Sequence, residues 1–244
     1  MAALLDRVAA VEAHLTELSE LSLVIPVFNE EAVVTSFLES LQDLRCHGVE
    51  VILVDGGSHD ATCKKAANLV DTLVTVKPGR ARQMNAGAHV ASGNYFCFLH
   101  ADTCLPSSAA GIFSEFMASG CCWGRFDVRL SGRRAMFTVI AKLINWRSRL
   151  SGIATGDQAL FMSRDTFTAV GGFPDIPLME DVAISRELRK ICRPYCSRAT
   201  VTTSSRRWQQ KGVWPTIFLM WKLRWLYFRG RSPEELHRQY YGAG

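Results

Sequence analysis

Several motifs that would assign a function at once are missing from this chain of 244 residues. No G-x-G-x-x-G follows the first predicted strand, which argues against a dinucleotide-dependent dehydrogenase, and no G-x-x-x-x-G-K-[ST] occurs, which excludes a P-loop. The glycine- and arginine-rich loop of sugar-nucleotide pyrophosphorylases is missing too. The eight cysteines form no paired C-x-x-C, so we do not expect a zinc site.

We also expect no secretory signal and no transmembrane helix. Residues 1–20 carry acids and lack an apolar core, so we expect a leader helix there and not a secretory signal. Scattered cysteines fit a reducing cytoplasm. The apolar stretch 212–231 is interrupted by Lys222 and Arg224 and is too short for a transmembrane helix.

Apolar runs of strand type alternate with amphipathic helical segments in the first half of the chain. This alternation predicts an α/β fold with a central, mostly parallel sheet and helices on both faces. We expect one domain at residues 21–210 and an apolar, basic helical segment at 211–244. The predicted strands are 21–27, 49–54, 72–76, 95–99 and 159–162, and the predicted helices are 32–44, 60–69, 82–91, 133–150 and 182–190.

Polar turns follow three of these strands, at residues 26–29, 55–58 and 100–102. Ligands of open parallel sheets bind beyond the carboxyl ends of the strands. We therefore expect the three turns to meet at one crevice.

Motifs at this crevice resemble those of family 2 glycosyltransferases, whose GT-A fold is a Rossmann-like nucleotide-diphospho-sugar transferase fold. They occur in order as IPVFNEE at 25–31, VDGGSHD at 54–60, LHADT at 99–103 and MED at 179–181. PGRARQMNAG at 78–87, GDQ at 156–158 and PLMED at 177–181 are similar to a compact bacterial-type subgroup labelled arsenosugar biosynthesis glycosyltransferase. The resemblance implies metal-dependent, inverting transfer of one sugar from a nucleotide-diphosphate sugar to an acceptor hydroxyl.

The resemblance also implies where the donor binds. Asp102 stands for the last acid of a D-x-D element, with His100 in place of the first acid, and would bind Mg²⁺ or Mn²⁺. Asp55 would contact the base or ribose, and we favour a UDP-sugar over a GDP-sugar. A turn, cap or solvated-surface role is the alternative for these residues. The full predicted donor set is Pro26, Glu30, Asp55, Arg80, Arg82 and Asp102.

The acceptor side is predicted from three further motifs. Asp181 would be the general base and Glu180 its substitute or partner, with helix capping as the alternative. Asp157 and Gln158 of the GDQ motif would contact the unknown hydroxyl acceptor, as would Trp208 of SSRRW. That last motif partly resembles the Q-x-x-R-W element of processive synthases, but a serine stands in place of the glutamine, which favours single addition.

Two other classes of protein compete with an enzyme. An inactive nucleotide-sugar-binding or adaptor protein could share the fold, but it would not need to keep four acids, at positions 55, 102, 180 and 181. The basic stretches 125–149 and 211–231 suit phosphate, anionic lipid, nucleic acid or plain solvation; no nucleic-acid recognition motif accompanies them, so we expect no such partner. Residues 212–231 either pack on the domain, which we favour, or make a peripheral contact with a membrane.

Overall fold

The computed structural model describes residues 18–132 and 134–242. In this part of the chain, eight strands form one sheet and eleven helices surround it. The predicted leader helix lies outside the described residues except at its C-terminal end, residues 18–20. The strands are β1 (Leu21–Val27), β2 (Glu50–Asp55), β3 (Thr72–Thr75), β4 (Tyr95–Phe98), β5 (Thr103–Cys104), β6 (Trp123–Leu130), β7 (Leu160–Ser163) and β8 (Tyr195–Thr203).

Helices lie between most successive strands along the chain, and a short 3-10 turn at Gly156–Gln158 precedes β7. The helices are α1 (Val34–Glu39), α2 (Gln42–Cys46), α3 (Thr62–Ala66), α4 (Arg80–Val90), α5 (Ala109–Ala118), α6 (Ala135–Ser151), α7 (Arg164–Ala169), α8 (Glu180–Ile191), α9 (Arg206–Lys211), α10 (Val213–Phe228) and α11 (Pro233–Tyr241).

The sheet has the order β3-β2-β1-β4-β7-β6-β8-β5. Its first four strands are parallel, whereas β7 runs antiparallel to both β4 and β6. Because successive side chains of a strand point to opposite faces, Leu23 and Ile25 pack under α1 while Val24 packs under α4. The predicted α/β architecture with helices on both faces is confirmed, and the second half makes the sheet mixed.

One predicted helix, 32–44, is divided in the structure into α1 and α2. The Ser40 hydroxyl donates back to the carbonyl of Phe37, and the Gln42 amide donates to the carbonyl of Leu38. Both carbonyls also accept main-chain N–H groups, so side chains share the last acceptors of α1, and serine commonly bends or ends a helix in this way.

The sequence analysis missed β6 because Arg125 and Asp127 interrupt its apolar pattern. Arg125 is completely buried and forms an ion pair with Asp127, which also pairs with Arg149 of α6 at 2.7 Å. The amide of Asn145 bridges the main chain of Val128. Part of the basic stretch 125–149 therefore anchors α6 to the sheet and is not available to a ligand.

The C-terminal helix α10 packs on the rest of the fold, as favoured from the sequence. Leu223 is fully buried in a cluster with Met179 and Val182, and Leu236 of α11 joins the same cluster. No helix in the described ranges is long and apolar enough to cross a membrane.

Candidate functional site

The first two polar turns hold each other at the carboxyl ends of β1 and β2. The amide oxygen of Asn29 accepts a hydrogen bond from the main-chain N–H of His59, and the N–H of Glu30 donates to the hydroxyl of Thr62. Asn29 has a φ of +53°, a left-handed conformation that asparagine tolerates. The expected meeting of these turns is therefore observed, and it fixes the position of Glu30.

Asp55 and Pro26 lie in the floor of this region. Asp55 is buried, and its carboxylate accepts hydrogen bonds from the N–H groups of Gly57 and Ser58 and from the Ser58 hydroxyl. Pro26 lies past Val24, the last residue of β1 that pairs with β4, so its missing N–H interrupts no hydrogen bond of that pairing. Asp55 thus has the turn-stabilising role considered for it, and donor contact at both residues stays a prediction.

Gln83 has a structural role in the site, and no role was predicted for it from the sequence. Its buried amide donates to the carbonyls of Val27 and Val54, each at 2.8 Å, and so ties together the ends of β1 and β2. The RARQ motif that carries the resemblance contained this residue.

Opposite charges gather between the end of β1 and the end of β4. Burial raises the pKa of Glu30, and Asp102 raises it further, whereas Arg206 and Arg80 lower it. All four groups are therefore close enough to interact. Asp102 is exposed, and its main-chain carbonyl accepts from the N–H of Ser204. Arg206 is a candidate that sequence reasoning missed, although it lies within the SSRRW motif.

Arg80 begins α4, where a cation is unfavourable because the helix dipole is positive at that end. Burial lowers the pKa of its guanidinium, but Glu180 above all raises it, with a net upward shift. Arg80 thus lies within electrostatic range of the acids of α8, and Tyr240 and Tyr241 also raise its pKa. Arg82 forms a different contact, an ion pair with Asp175 at 2.8 Å. The two predicted phosphate ligands are therefore separated, and in this conformation only Arg80 is linked to the acids of the site.

The acids Glu180 and Asp181 begin α8, immediately after Met179, whose φ is +70°. Asp181 accepts hydrogen bonds from the N–H groups of Gly156, at 2.9 Å, and Val182. Burial above all, together with the charge of Asp181, raises the pKa of Glu180 to about 7, and Arg80 opposes the rise. The pair thus combines a carboxylate fixed by two donors with a neighbour that titrates near neutral pH.

His100 fills the space between β4 and these acids. A Cβ atom added to Gly156 would lie 2.4 Å from its Nε2 atom, so the ring requires glycine at that position. Burial above all, together with the charge of Arg80, lowers the pKa of His100 to about 3. His100 is therefore neutral at pH 7 and supplies no charge in place of the acid that the D-x-D pattern would have.

The three predicted acceptor residues have different surroundings. Oδ1 of Asp157 is buried and has no hydrogen-bond partner among the described residues, and burial raises the pKa of this carboxyl. Gln158 is fully buried, and its amide bonds to the main chain of Thr155 and Phe126. The polar atoms of Gln158 serve the 3-10 turn, and contact between Gln158 and an acceptor stays a prediction. Trp208 is half-buried against the cluster around Leu130, Phe137 and Ile140.

A divalent metal fits this site only as a partner of bound phosphate. Across the described residues, no group of three or more His, Cys, Asp or Glu side chains forms a protein cage for a metal. The exposed carboxylate of Asp102 is a hard oxygen donor, and Mg²⁺ commonly combines one or two carboxylates with phosphate oxygens and water. The donor chemistry of Asp102 is therefore suitable.

Comparison with known proteins assigns the class. The profile described as "Glycosyl transferase family 2" matches residues 22–169, more than half of the chain. The chain belongs to glycosyl transferase family 2 and has the GT-A fold, as predicted from the motifs.

Two curated relatives belong to the same class of enzyme. A PGL/p-HBAD biosynthesis glycosyltransferase of Mycobacterium tuberculosis is 36% identical over 91 residues, which are 34% of this chain and 36% of that protein. An undecaprenyl-phosphate 4-deoxy-4-formamido-L-arabinose transferase of Aeromonas hydrophila is 34% identical over 102 residues, 37% of this chain and 31% of that protein. The match spans about a third of the length of each relative.

Solved structures share the fold at low sequence identity. A mannosyltransferase from Pyrobaculum calidifontis, in complex with GDP-Man and Mn²⁺, has a TM-score of 0.62 at 16% identity and covers 90% of this chain and 68% of its own. Glucosyl-3-phosphoglycerate synthase from Mycobacterium tuberculosis, with Mg²⁺ and UDP, has a TM-score of 0.58 at 18% identity and covers 79% and 74%. S. aureus TarS 1-349 with UDP has a TM-score of 0.60 at 16% identity and covers 76% and 60%.

Proposed function

We propose that this protein transfers one sugar from a nucleotide-diphosphate sugar to an acceptor hydroxyl, with inversion at the anomeric carbon. The observation that carries the proposal is the convergence of Glu30, Arg80, Asp102 and the pair Glu180–Asp181 at the carboxyl ends of β1 and β4. A site with acids on both sides of one arginine suits a reaction that needs both phosphate binding and a base.

The donor occupies the side of the crevice formed by β1, β2 and α4. Asp55, Pro26 and Glu30 lie near the base and ribose, and Arg80 faces the diphosphate, because a guanidinium donates hydrogen bonds in pairs to phosphate oxygens. Arg82 joins it only after releasing Asp175. Two of the similar structures hold UDP and one holds GDP-Man, and we place a UDP-sugar first.

Asp102 would hold Mg²⁺ or Mn²⁺ together with the diphosphate. Such an ion neutralises charge on the departing nucleoside diphosphate. Asp102 is exposed in the turn after β4, within electrostatic range of Glu30, and its carboxylate accepts a hydrogen bond from the Thr103 hydroxyl.

Asp181 accepts the proton of the acceptor hydroxyl as the hydroxyl oxygen attacks the anomeric carbon, and this single displacement inverts the configuration. The two N–H groups bound to Asp181 stabilise the carboxylate and orient it. Asp157 and Trp208 belong to the acceptor side, where Oδ1 of Asp157 would accept a hydrogen bond from an acceptor hydroxyl, since this buried atom has no partner among the described residues.

Two finer assignments stay predictions. The similarity of the PGRARQMNAG and PLMED motifs to the arsenosugar subgroup names no acceptor for this chain. A cytoplasmic location is proposed on the eight free cysteines, which suit a reducing compartment.

A thermal-shift titration with nucleotide sugars tests donor binding and the role of Asp102. Ligands that bind the native state raise the melting temperature by mass action. We expect UDP-sugars with Mn²⁺ to raise it more than UDP-sugars alone, and Asp102→Ala to remove that gain and to abolish transfer. An unchanged Mn²⁺ effect in Asp102→Ala would contradict the assignment, and donor binding without transfer to any hydroxyl acceptor would favour an inactive binding protein.

A further inference from the structure

The helices α6 and α10 carry most of the exposed apolar surface. Of fifteen large apolar side chains that are exposed in the described ranges, ten lie on these two helices. They recur every three or four residues, a spacing that places them on one face of each helix. They are Met136, Val139, Leu143, Trp146 and Leu150 on α6, and Trp214, Phe218, Trp221, Trp225 and Phe228 on α10.

On each helix these exposed side chains form a stripe, which is separate from the face that packs on the domain. On α6 the buried face contains Phe137 and Ile140, and on α10 it contains Thr216 and Leu223. Trp146 is 63% exposed and Trp221 is also 63% exposed, although burial of such side chains would be favourable. The core of the described residues already has its own contacts, so the stripes do not serve it.

Two observations place α6 and α10 near each other. Ile217 of α10 packs against the cluster that contains Ile140 of α6. Seven residues further along both helices, Arg224 lowers the pKa of Arg147, so these two guanidinium groups are also near each other. The two helices therefore run in the same direction near each other, and we refer to their two exposed stripes together as the apolar face.

Basic residues predominate along the two segments that carry the stripes, although Arg149 pairs with Asp127 and Arg231 pairs with Glu235. Residues 128–156, which include α6, contain six Lys or Arg and no Asp or Glu, and residues 188–233, which include α10, contain eleven and none. Two copies of the chain joined through this face would bring like charges together, which is unfavourable. An anionic partner with an apolar interior complements the face.

We propose that α6 and α10 together form a docking face for an anionic lipid bilayer, with the apolar stripes in the interfacial layer and the surrounding cations at the lipid phosphates. Tryptophan and phenylalanine suit that layer, and basic residues add attraction to anionic headgroups. The sequence pointed only to residues 212–231; the structure adds α6 as an equal half of the face.

The face is close to the candidate catalytic acids. Leu223 of α10 packs with Met179 and Val182, the residues on either side of Glu180 and Asp181. Docking would therefore hold the acceptor side of the crevice near the lipid surface. Membrane binding itself does not depend on sugar transfer and can be measured without it.

Vesicle co-sedimentation of the full chain tests the proposal, with phosphatidylcholine vesicles compared with vesicles that also contain phosphatidylglycerol. The variants are Trp146→Gln with Leu150→Gln on α6, and Trp221→Gln with Trp225→Gln on α10. The matched control is Val90→Gln with Ile191→Gln, which removes two exposed apolar side chains outside the face. Circular dichroism melts show that each variant is folded.

We expect binding to the anionic vesicles that weakens with salt. Each stripe variant should lower the partition coefficient at least about tenfold, while the control binds like wild type. Equal binding by wild type and both stripe variants would overturn the proposal. So would an absence of vesicle binding together with a concentration-dependent dimer, seen by sedimentation velocity, that the stripe variants abolish.

Discussion

At the scale of single residues, the adjacent carboxyls of Glu180 and Asp181 differ because their contacts differ. Asp181 accepts two main-chain N–H groups, whereas Glu180 is buried and faces Arg80. The MED motif at residues 179–181 identified them as a pair in the sequence. Their separate environments, which decide how each one holds a proton, come from the loop at Gly156 and from the first turn of α4.

Replacement of Asp181 by asparagine tests the general base. Asp181→Asn keeps the size of the side chain and removes its basicity, so turnover should fall at least about a hundredfold, while nucleotide binding measured by thermal shift stays near wild type. Asp165→Asn is the control, because Asp165 also lies in the first turn of a helix. Near-normal turnover in Asp181→Asn would give the role to Glu180 or Asp157, and retained anomeric configuration by proton NMR would contradict single displacement.

Glu180 should make stability depend on pH. Its pKa rises from 4.5 to about 7 on folding, so the native state holds a proton that the unfolded state has lost between these values. The stability due to this group is complete below pH 4.5 and is lost as the pH rises through 7. Glu180→Gln removes the charge, and we expect it to stabilise the protein at pH 8 by about 3 kcal/mol, because the pKa rises from 4.5 to about 7 and each pKa unit corresponds to about 1.4 kcal/mol.

Chemical denaturation at pH 8 and pH 4.5 measures this effect. The gain from Glu180→Gln should shrink or disappear at pH 4.5, where the wild-type carboxyl is protonated in the native state. Glu187→Gln, on the exposed side of the same helix, is the control and should show no such gain. A gain of the same size at both pH values would mean that charge burial is not the cause.

At the scale of elements, the 3-10 turn at Gly156–Gln158 contacts two segments that are distant in the chain: His100, after β4, and the start of α8. Its main-chain N–H at Gly156 binds Asp181, and His100 lies directly against its Cα atom. The buried amide of Gln158 holds the turn to the main chain. The turn therefore positions the proposed base, and it can do so only while position 156 carries no side chain.

Gly156→Ala should disturb this arrangement. The added Cβ atom would meet Nε2 of His100, so we expect a loss of about 1–3 kcal/mol in the free energy of unfolding, as is usual for overpacking, together with lower turnover. Gly111→Ala is the control, because nothing lies within 4 Å of a Cβ atom there. A double-mutant cycle with His100→Ala should recover most of the lost stability, and independent effects of the two changes would contradict the contact.

At the scale of the whole molecule, the C-terminal helices complete the core around the site. Leu223 and Leu236 cover Ile153, Leu178, Met179 and Val182. The predicted division at residue 210 therefore separates parts that share one apolar cluster. The same helices also present the exposed aromatic stripe, so α10 packs on the domain with one face and leaves the other to solvent.

Deletion of residues 212–244 should destabilise the protein, because the apolar side chains under α10 would become exposed. We expect a large fall in melting temperature and aggregation of the truncated chain. Leu223→Ala is the milder matched change, with an expected cost of about 2–5 kcal/mol, as for other buried leucines. A truncated chain that stays soluble with an unchanged melting temperature, and loses only vesicle binding, would make the segment a membrane anchor alone.

The sequence by itself determined the parallel half of the sheet. There, runs of apolar residues end at polar turns, and the alternation of strands and helices can be seen within short stretches of the sequence. It also determined the family, through the motifs around Glu30, Asp102 and Asp181. It did not reveal β6 and β8, since a buried ion pair interrupts the apolar pattern of one, and the β-branched run 200–203 in the other was not recognised as a strand signal.

Only the tertiary structure decided which polar residues of the motifs face the crevice. Arg80 and Arg82 are two residues apart on α4, yet one interacts with Glu180 and the other pairs with Asp175. Gln158 follows Asp157 in the chain, yet its amide is used up inside the fold. Such differences depend on contacts between segments far apart in sequence. For the same physical reason, only the tertiary structure brings α6 and α10 near each other.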